Sequence, residues 1–340
     1  MTTPDADWPA KFTFEQFWNF TEPLEGGFAA DCMFMVQDLQ VATGMGITFT
    51  GKSNRGAGLA MAKALEWVYK PGHPAAGTPC SALDIERDYD AVLKEEALGR
   101  LGPGHLSEWK AMTNCRITRE GLKRGVRKRV VGNINYVRTL RKGNKFLGDF
   151  DSFPADAQLC IISLTWANGN EFGYPRFCQA CREYDWLEAS KQCGFANKDN
   201  TLPQRQKAQE EMMRNALAAS LGAADPDILH WPTILNVPTV TWLKGWWTVS
   251  DGNYYYYYFN PTGTVVYIET EPQASSGAPS SPKNWGTYSF DSARRLIVRW
   301  RQLPSLGACV ETFYNARPGA TAMNATSNFY SPLVANRLSS

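Results

Sequence analysis

The feature that most limits what this chain can fold into is a change of pattern near residue 222. Before it, apolar residues recur at helical spacing in runs separated by proline and glycine. After it come short aromatic and β-branched runs, among them YYYYYF, GTVVYIE and RLIVRW, divided by turn residues. Such a chain is α+β overall. It predicts a mainly helical domain with a small β-hairpin over 1–222, a linker over 223–238 marked by Pro226, Pro232 and Pro238, and a β-rich accessory domain over 239–340. Strand runs at these intervals fit an all-β sandwich or a small barrel. The segment 271–284, EPQASSGAPSSPKN, reads as a loop inside that domain, because strands resume after it. Alternation in the tyrosine run 254–258 sends about half of its rings away from the core, where an aromatic strip would suit binding or docking as well as structure.

Within the first 222 residues the pattern predicts short helices from Thr13 and over 60–69, then helices over 83–101, 119–141, 154–166, 175–193 and 203–221. The stretch 116–145 is strongly basic, with Glu120 its only acid. It reads as a surface helix whose arginine stems cover Val126, Val130 and Ile134, with attraction for an anionic polymer as the functional alternative. A formal net charge of +2 over 340 residues gives no ground for nucleic-acid binding by the whole molecule. No run approaches the roughly 18 apolar residues of a membrane span. The N-terminal MTTPDADWPAKF lacks the basic and apolar regions of a secretory signal, so synthesis in the cytoplasm is expected. Cys178 and Cys181 form a CxxC in a helical run without a second such pair or a nearby histidine. Buried thiols are therefore expected, with no metal, although a link from either to Cys193 fits an oxidising compartment.

The stretch that carries chemistry is 22–46, EPLEGGFAADCMFMVQDLQVATGMG. Thr13 and Gln16 have capping-box spacing, and Phe14, Phe17, Phe20 and Leu24 share one helical face. Pro23 ends that helix, which leaves Glu22 and Glu25 at its C-terminal end or just beyond. The β-type residues over 33–50, interrupted by Gly44 and Gly46, predict a hairpin carrying Asp38 and Thr43. Cleaving a glycosidic bond takes a carboxylic acid to protonate the leaving oxygen and usually a second carboxylate that positions water or steadies the transition state. Glu25, with Glu22 as second choice, and Asp38 supply such a pair. Glutamates at helix ends and a Gly-x-Gly in a hairpin are equally at home in a purely structural setting.

Glu25-Gly26, followed by Val41-Ala42-Thr43-Gly44-Met45-Gly46, resembles the active-site strip of phage-type and pesticin-like lysozymes. Residues 153–159 (FPADAQL), 163–169 (SLTWANG), 174–177 (YPRF), Asp185-Trp186, then Asn200-Thr201-Leu202 with Arg205 and Asn215-Ala216 resemble the helical half of the same group, so the resemblance spans about 13–220. Counted back from Gly44, the family threonine falls on Ala42 and its aspartate on Val36, where this chain offers Thr43 and Asp38. Either a bulge re-aims the hairpin or the second carboxylate is absent from its usual place. The resemblance implies a peptidoglycan muramidase that cleaves the β-1,4 bond between N-acetylmuramic acid and N-acetylglucosamine. Glu25 would be its general acid, Asp38 and Thr43 would position water, and Trp166 and Asn168 would line the sugar cleft. Carboxylates and water suffice, so no cofactor is called for. Expected partners are peptidoglycan and, for an antibacterial effector delivered to a periplasm or wall without a classical signal, an immunity protein and a secretion-machine component. A phage endolysin fits as well. A lytic transglycosylase working with a single glutamate, and a non-catalytic glycan-binding or delivery adaptor, are the alternatives.

Overall fold

A computed structural model describes residues 8–25, 27–36, 40–49, 54–97, 105–140, 147–169, 174–194, 203–291, 293–301, 309–329 and 332–338. The chain forms two compact units, one of residues 1–8 and 13–133 and the other of 9–12 and 134–340. The division falls inside one long helix.

The first unit opens with α1 (Phe14–Thr21), whose capping box is complete: Gln16 N–H donates to Thr13 Oγ1 at 3.2 Å, and Thr13 N–H to Gln16 Oε1 at 2.7 Å. Phe14, Phe17 and Phe20 bury one face. Two 3₁₀ turns, Glu22–Glu25 and Gly27–Ala29, lead into an antiparallel sheet of β1 (Phe34–Val36), β2 (Gln40–Thr43) and β3 (Ile47–Thr48). Then follow α2 (Arg55–Lys63), β4 (Trp67–Tyr69), α3 (Ala82–Ala97), α4 (Leu106–Met112) and β5 (Cys115–Ile117), with β4 and β5 paired antiparallel. Buried Asp88 of α3 ties down β5 by accepting from Asn114 N–H at 2.8 Å and Cys115 N–H at 2.6 Å. The long helix is α5 (Arg119–Thr139); Leu122, Val126, Val130 and Ile134, four residues apart, are all fully buried. Within α5 the basic residues lie outside that core stripe, Arg119, Arg124 and Lys128 being exposed, whereas Arg116 is buried in β5.

In the second unit α6 (Ala155–Asn168) is buried from Ala155 through Trp166. It is flanked by α7 (Pro175–Arg182), α8 (Trp186–Gln192) and α9 (Pro203–Ser220). Asp156, at its N-terminal end, accepts from Asn215 Nδ2 and from the His230 and Trp231 backbone N–H groups, all at 3.0 Å. Those bonds hold the proline-rich stretch 223–238 against α6 and α9, helped by Ala155 N–H donating to Pro226 O at 2.8 Å and Leu235 N–H to Asn215 Oδ1 at 2.9 Å. The segment expected to act as a linker is therefore a strapped-down coil.

The sandwich-or-barrel alternative resolves to a barrel. Strands β6 (Gly245–Ser250), β7 (Tyr254–Phe259), β8 (Thr264–Ile268), β9 (Asn284–Phe290), β10 (Leu296–Trp300), β11 (Val310–Tyr314), β12 (Ala322–Ser327) and β13 (Leu333–Arg337) each pair antiparallel with the next, and β13 closes on β6. Closure removes the sheet edges. The register directs Trp247, Tyr257, Phe259, Val265, Tyr288, Val298, Trp300, Glu311 and Phe313 into one buried layer. Tyr254, Tyr256 and Tyr258 face the other way, and of these Tyr258 is covered by Trp246, ring centroids 5.2 Å apart, while Tyr254 stays 67% exposed. Among the described residues no helix is long and apolar enough to cross a membrane. All eight cysteines are free thiols, so no bond links Cys178 or Cys181 to Cys193.

Candidate functional site

Glu25 ends the 3₁₀ turn that Pro23 forces after α1, and its carboxylate reaches the turn between β2 and β3. Both glycines of that turn sit in close approaches, and Gly46 also takes a left-handed φ. A Cβ on Gly44 would stand 2.9 Å from Leu122 Cδ2 of α5. A Cβ on Gly46, at φ +67°, would stand 2.8 Å from Glu25 Oε2. Met45 between them holds φ 55° and is fully buried, a strained conformation for a non-glycine residue. From α5, Arg129 Nη1 donates to Gly46 O at 3.0 Å, and its guanidinium interacts electrostatically with Glu25. Burial pushes Arg129 below its usual value, and the Glu25 charge opposes that push. Glu25, Gly46 and Arg129 therefore form one cluster assembled from three separate elements.

Arg129 also lines a cleft of about 440 Å³. Its floor is apolar, from Ile47, Phe49 and Leu65; on its α5 wall Arg124 and Lys128 are exposed, and Arg124 pairs with Glu66, which also lines the cleft. A groove with an apolar floor and a basic wall suits the faces of sugar rings and an anionic polymer.

The other residues expected at the site are placed as follows. Glu22 is held away from this cluster, its Oε2 accepting from Trp18 Nε1 at 2.6 Å and pairing with Arg119 Nη2 at 2.7 Å. Arg119 and Lys123 also stand over the Trp18 ring, 5.5 and 5.2 Å from its centroid. Glu22 thus belongs to a clamp joining α1 to α5. Thr43 is fully buried, and its hydroxyl faces Ala30 O at 3.5 Å. The register 34↔42, 35↔41, 36↔40 is regular, so the described part of the hairpin has no bulge. Asp38 lies outside the described residues. Trp166 and Asn168 belong to the second unit: Trp166 is 4% exposed in the core, and Asn168 caps its own helix, Nδ2 donating to Leu164 O at 2.8 Å while Oδ1 accepts from Tyr174 Oη at 3.3 Å. Arg129 was missed by sequence reasoning. It sits among many basic residues of one run, and only its position one turn from Gly125, facing the hairpin, sets it apart.

No protein-family model matches the chain, and neither does any curated protein or solved structure. The functional reading therefore rests on the residues themselves. Gly46→Ala is expected to destabilise the first unit by about 1–2 kcal/mol, because an L side chain must adopt positive φ, and to displace Glu25. Thermal unfolding of the variant measures the first effect, and a matching loss of any wall-lysing activity reports the second.

Proposed function

We propose that the chain is a peptidoglycan-cleaving glycoside hydrolase of the lysozyme type, a muramidase with Glu25 as general acid. The observation that carries this reading is the Glu25 carboxylate packed on the Gly46 turn, within electrostatic reach of Arg129, which lines the neighbouring cleft. Arg129 holds the Gly46 carbonyl and with it the turn on which Glu25 rests, which places the carboxyl group to hand a proton to the bridging oxygen of a sugar chain lying along the groove. Peptidoglycan, with its stem-peptide carboxylates, suits the charge of Lys128 and Arg129, while Arg124 already pairs with Glu66. An antibacterial effector or an endolysin is the biological role that such chemistry would serve.

A second reading has its own support. Thr43 has its hydroxyl turned to the Ala30 carbonyl inside the core, away from any place where it would position water. A lytic transglycosylase needs no such water, because the muramic-acid hydroxyl attacks its own anomeric carbon.

Mass spectrometry of the soluble fragments released from purified peptidoglycan separates these readings. Reducing muramic-acid ends support the hydrolase, 1,6-anhydro ends support the transglycosylase, and the absence of any fragment from folded protein overturns both.

A further inference from the structure

The second unit contains a cleft of about 380 Å³ where the residues around 148–152 and 182–184 meet the outer face of strands β9 to β11. It is lined by Arg182, Arg299 and Arg301 and by only two carboxylates, Asp149 and Glu183. The positive charges are unequally matched. Arg301 Nε pairs with Glu183 Oε1 at 3.1 Å, and its guanidinium covers Trp285, 4.4 Å from the ring centroid. Arg299, two residues earlier on the same strand face, has no carboxylate partner among the described residues. Its Nη1 donates to Ser289 Oγ at 2.8 Å, and its guanidinium lies 3.8 Å above the Tyr184 ring.

A desolvated guanidinium left without a counter-anion is costly unless something else supplies the charge. Burial pushes Arg299 below its usual value; the Tyr184 hydroxyl, and then the more distant Asp149 and Asp291, pull the other way. Tyr184, at φ 55°, is the left-handed residue that closes α7, where Asp185 N–H donates to Ala180 O at 2.9 Å. Its ring is fixed in the cleft by Ser152 at its hydroxyl and by the edges of Phe153 and Trp186, ring centroids 5.2 and 5.6 Å away.

We infer that this cleft binds a small ligand carrying a carboxylate or phosphate group on a flat or apolar body, with Arg299 receiving the oxyanion and Trp285 and Tyr184 flanking the body. The planar fork of arginine accepts either oxyanion bidentately. The volume lies in the range of small-molecule sites. The site is separate from Glu25 and stands whether or not the chain cleaves peptidoglycan.

Isothermal titration calorimetry of the full chain with benzoate, phenyl phosphate and the neutral benzamide tests it. At least one of the two anions is expected to bind with a Kd on the order of 1 mM, as fits ligands of this size, and at least tenfold more tightly than benzamide. Preference between benzoate and phenyl phosphate tells which oxyanion the site takes. Arg299→Gln is expected to weaken the anion at least tenfold. Asp149→Asn removes a competing negative charge from the cleft and is expected to tighten binding about threefold, a gain that misfolding cannot produce. Equal binding of anions and benzamide, no binding by either anion, an unchanged Arg299→Gln, or no gain in Asp149→Asn would each overturn the assignment.

Discussion

Glu25→Gln is expected to lower the rate of wall lysis by about a thousandfold while leaving the protein folded. The amide has the shape of the acid and keeps a carbonyl to face Arg129, but it has no proton to give the leaving oxygen, and positioned acid–base groups contribute on the order of 10²–10⁴ in rate. The stability cost is expected to be small. Glu25 is only half-buried, and Arg129 retains its bond to Gly46 O, so what is lost is a partly screened charge interaction, about 1 kcal/mol or less. Glu22→Gln gives the opposite pattern. It loses the charge that meets Arg119 at 2.7 Å and weakens the acceptor for Trp18 Nε1 at 2.6 Å, so the joint between α1 and α5 loosens while chemistry continues. Clearing rates of labelled wall fragments, read beside thermal unfolding of the same two variants, check both statements. Full activity in Glu25→Gln with loss in Glu22→Gln would transfer the acid role to Glu22.

Much of this arrangement was legible in the residues, and what was not has physical causes. The end of α1 was readable because proline at 23 and the Thr13 and Gln16 cap are local signals that tertiary packing does not override. The barrel was readable as strands, but its closure was not, because the pairing of β13 with β6 joins segments about ninety residues apart and leaves no local mark. Residues 60–69 read as helix, yet the helix stops at Lys63 and Trp67–Tyr69 pairs with Cys115–Ile117. There the β-forming Trp-Val-Tyr gained a distant partner. The predicted helix over 175–193 is two helices, broken where Tyr184 adopts positive φ. At the candidate site the glutamate and the glycine turn were visible as a motif. Arg129 was not, since its role comes from the approach of α5 to the hairpin, which Gly44 and Gly46 permit but do not announce.

The barrel interior carries a second large expected effect. Glu311 is the one carboxylate that the register directs into the buried layer among the described residues, 3% exposed, with the Tyr257 hydroxyl donating to its Oε1 at 2.9 Å. Burial pushes its carboxyl up to about 7 from an ordinary 4.5, against the opposing pull of the Tyr257 hydroxyl and the Trp300 indole. A carboxyl that holds its proton more tightly when folded adds stability below the unfolded value and loses it as pH rises through the folded one. Its contribution is therefore full below about pH 4.5, declines between 4.5 and 7, and is gone above, a swing of about 3 kcal/mol at 1.36 kcal/mol per unit. Glu311→Gln keeps an oxygen for Tyr257 and removes the titration. The stability difference between wild type and this variant is thus expected to move by about 3 kcal/mol in the variant's favour between pH 4.5 and 8, measured by urea unfolding with near-ultraviolet circular dichroism of the barrel tryptophans. Taking the difference cancels the other carboxyls, including Asp88, Asp156 and Asp185, which burial also raises. A difference that stays constant with pH would mean that Glu311 titrates alike in the folded and unfolded chain, and that water reaches it inside the barrel.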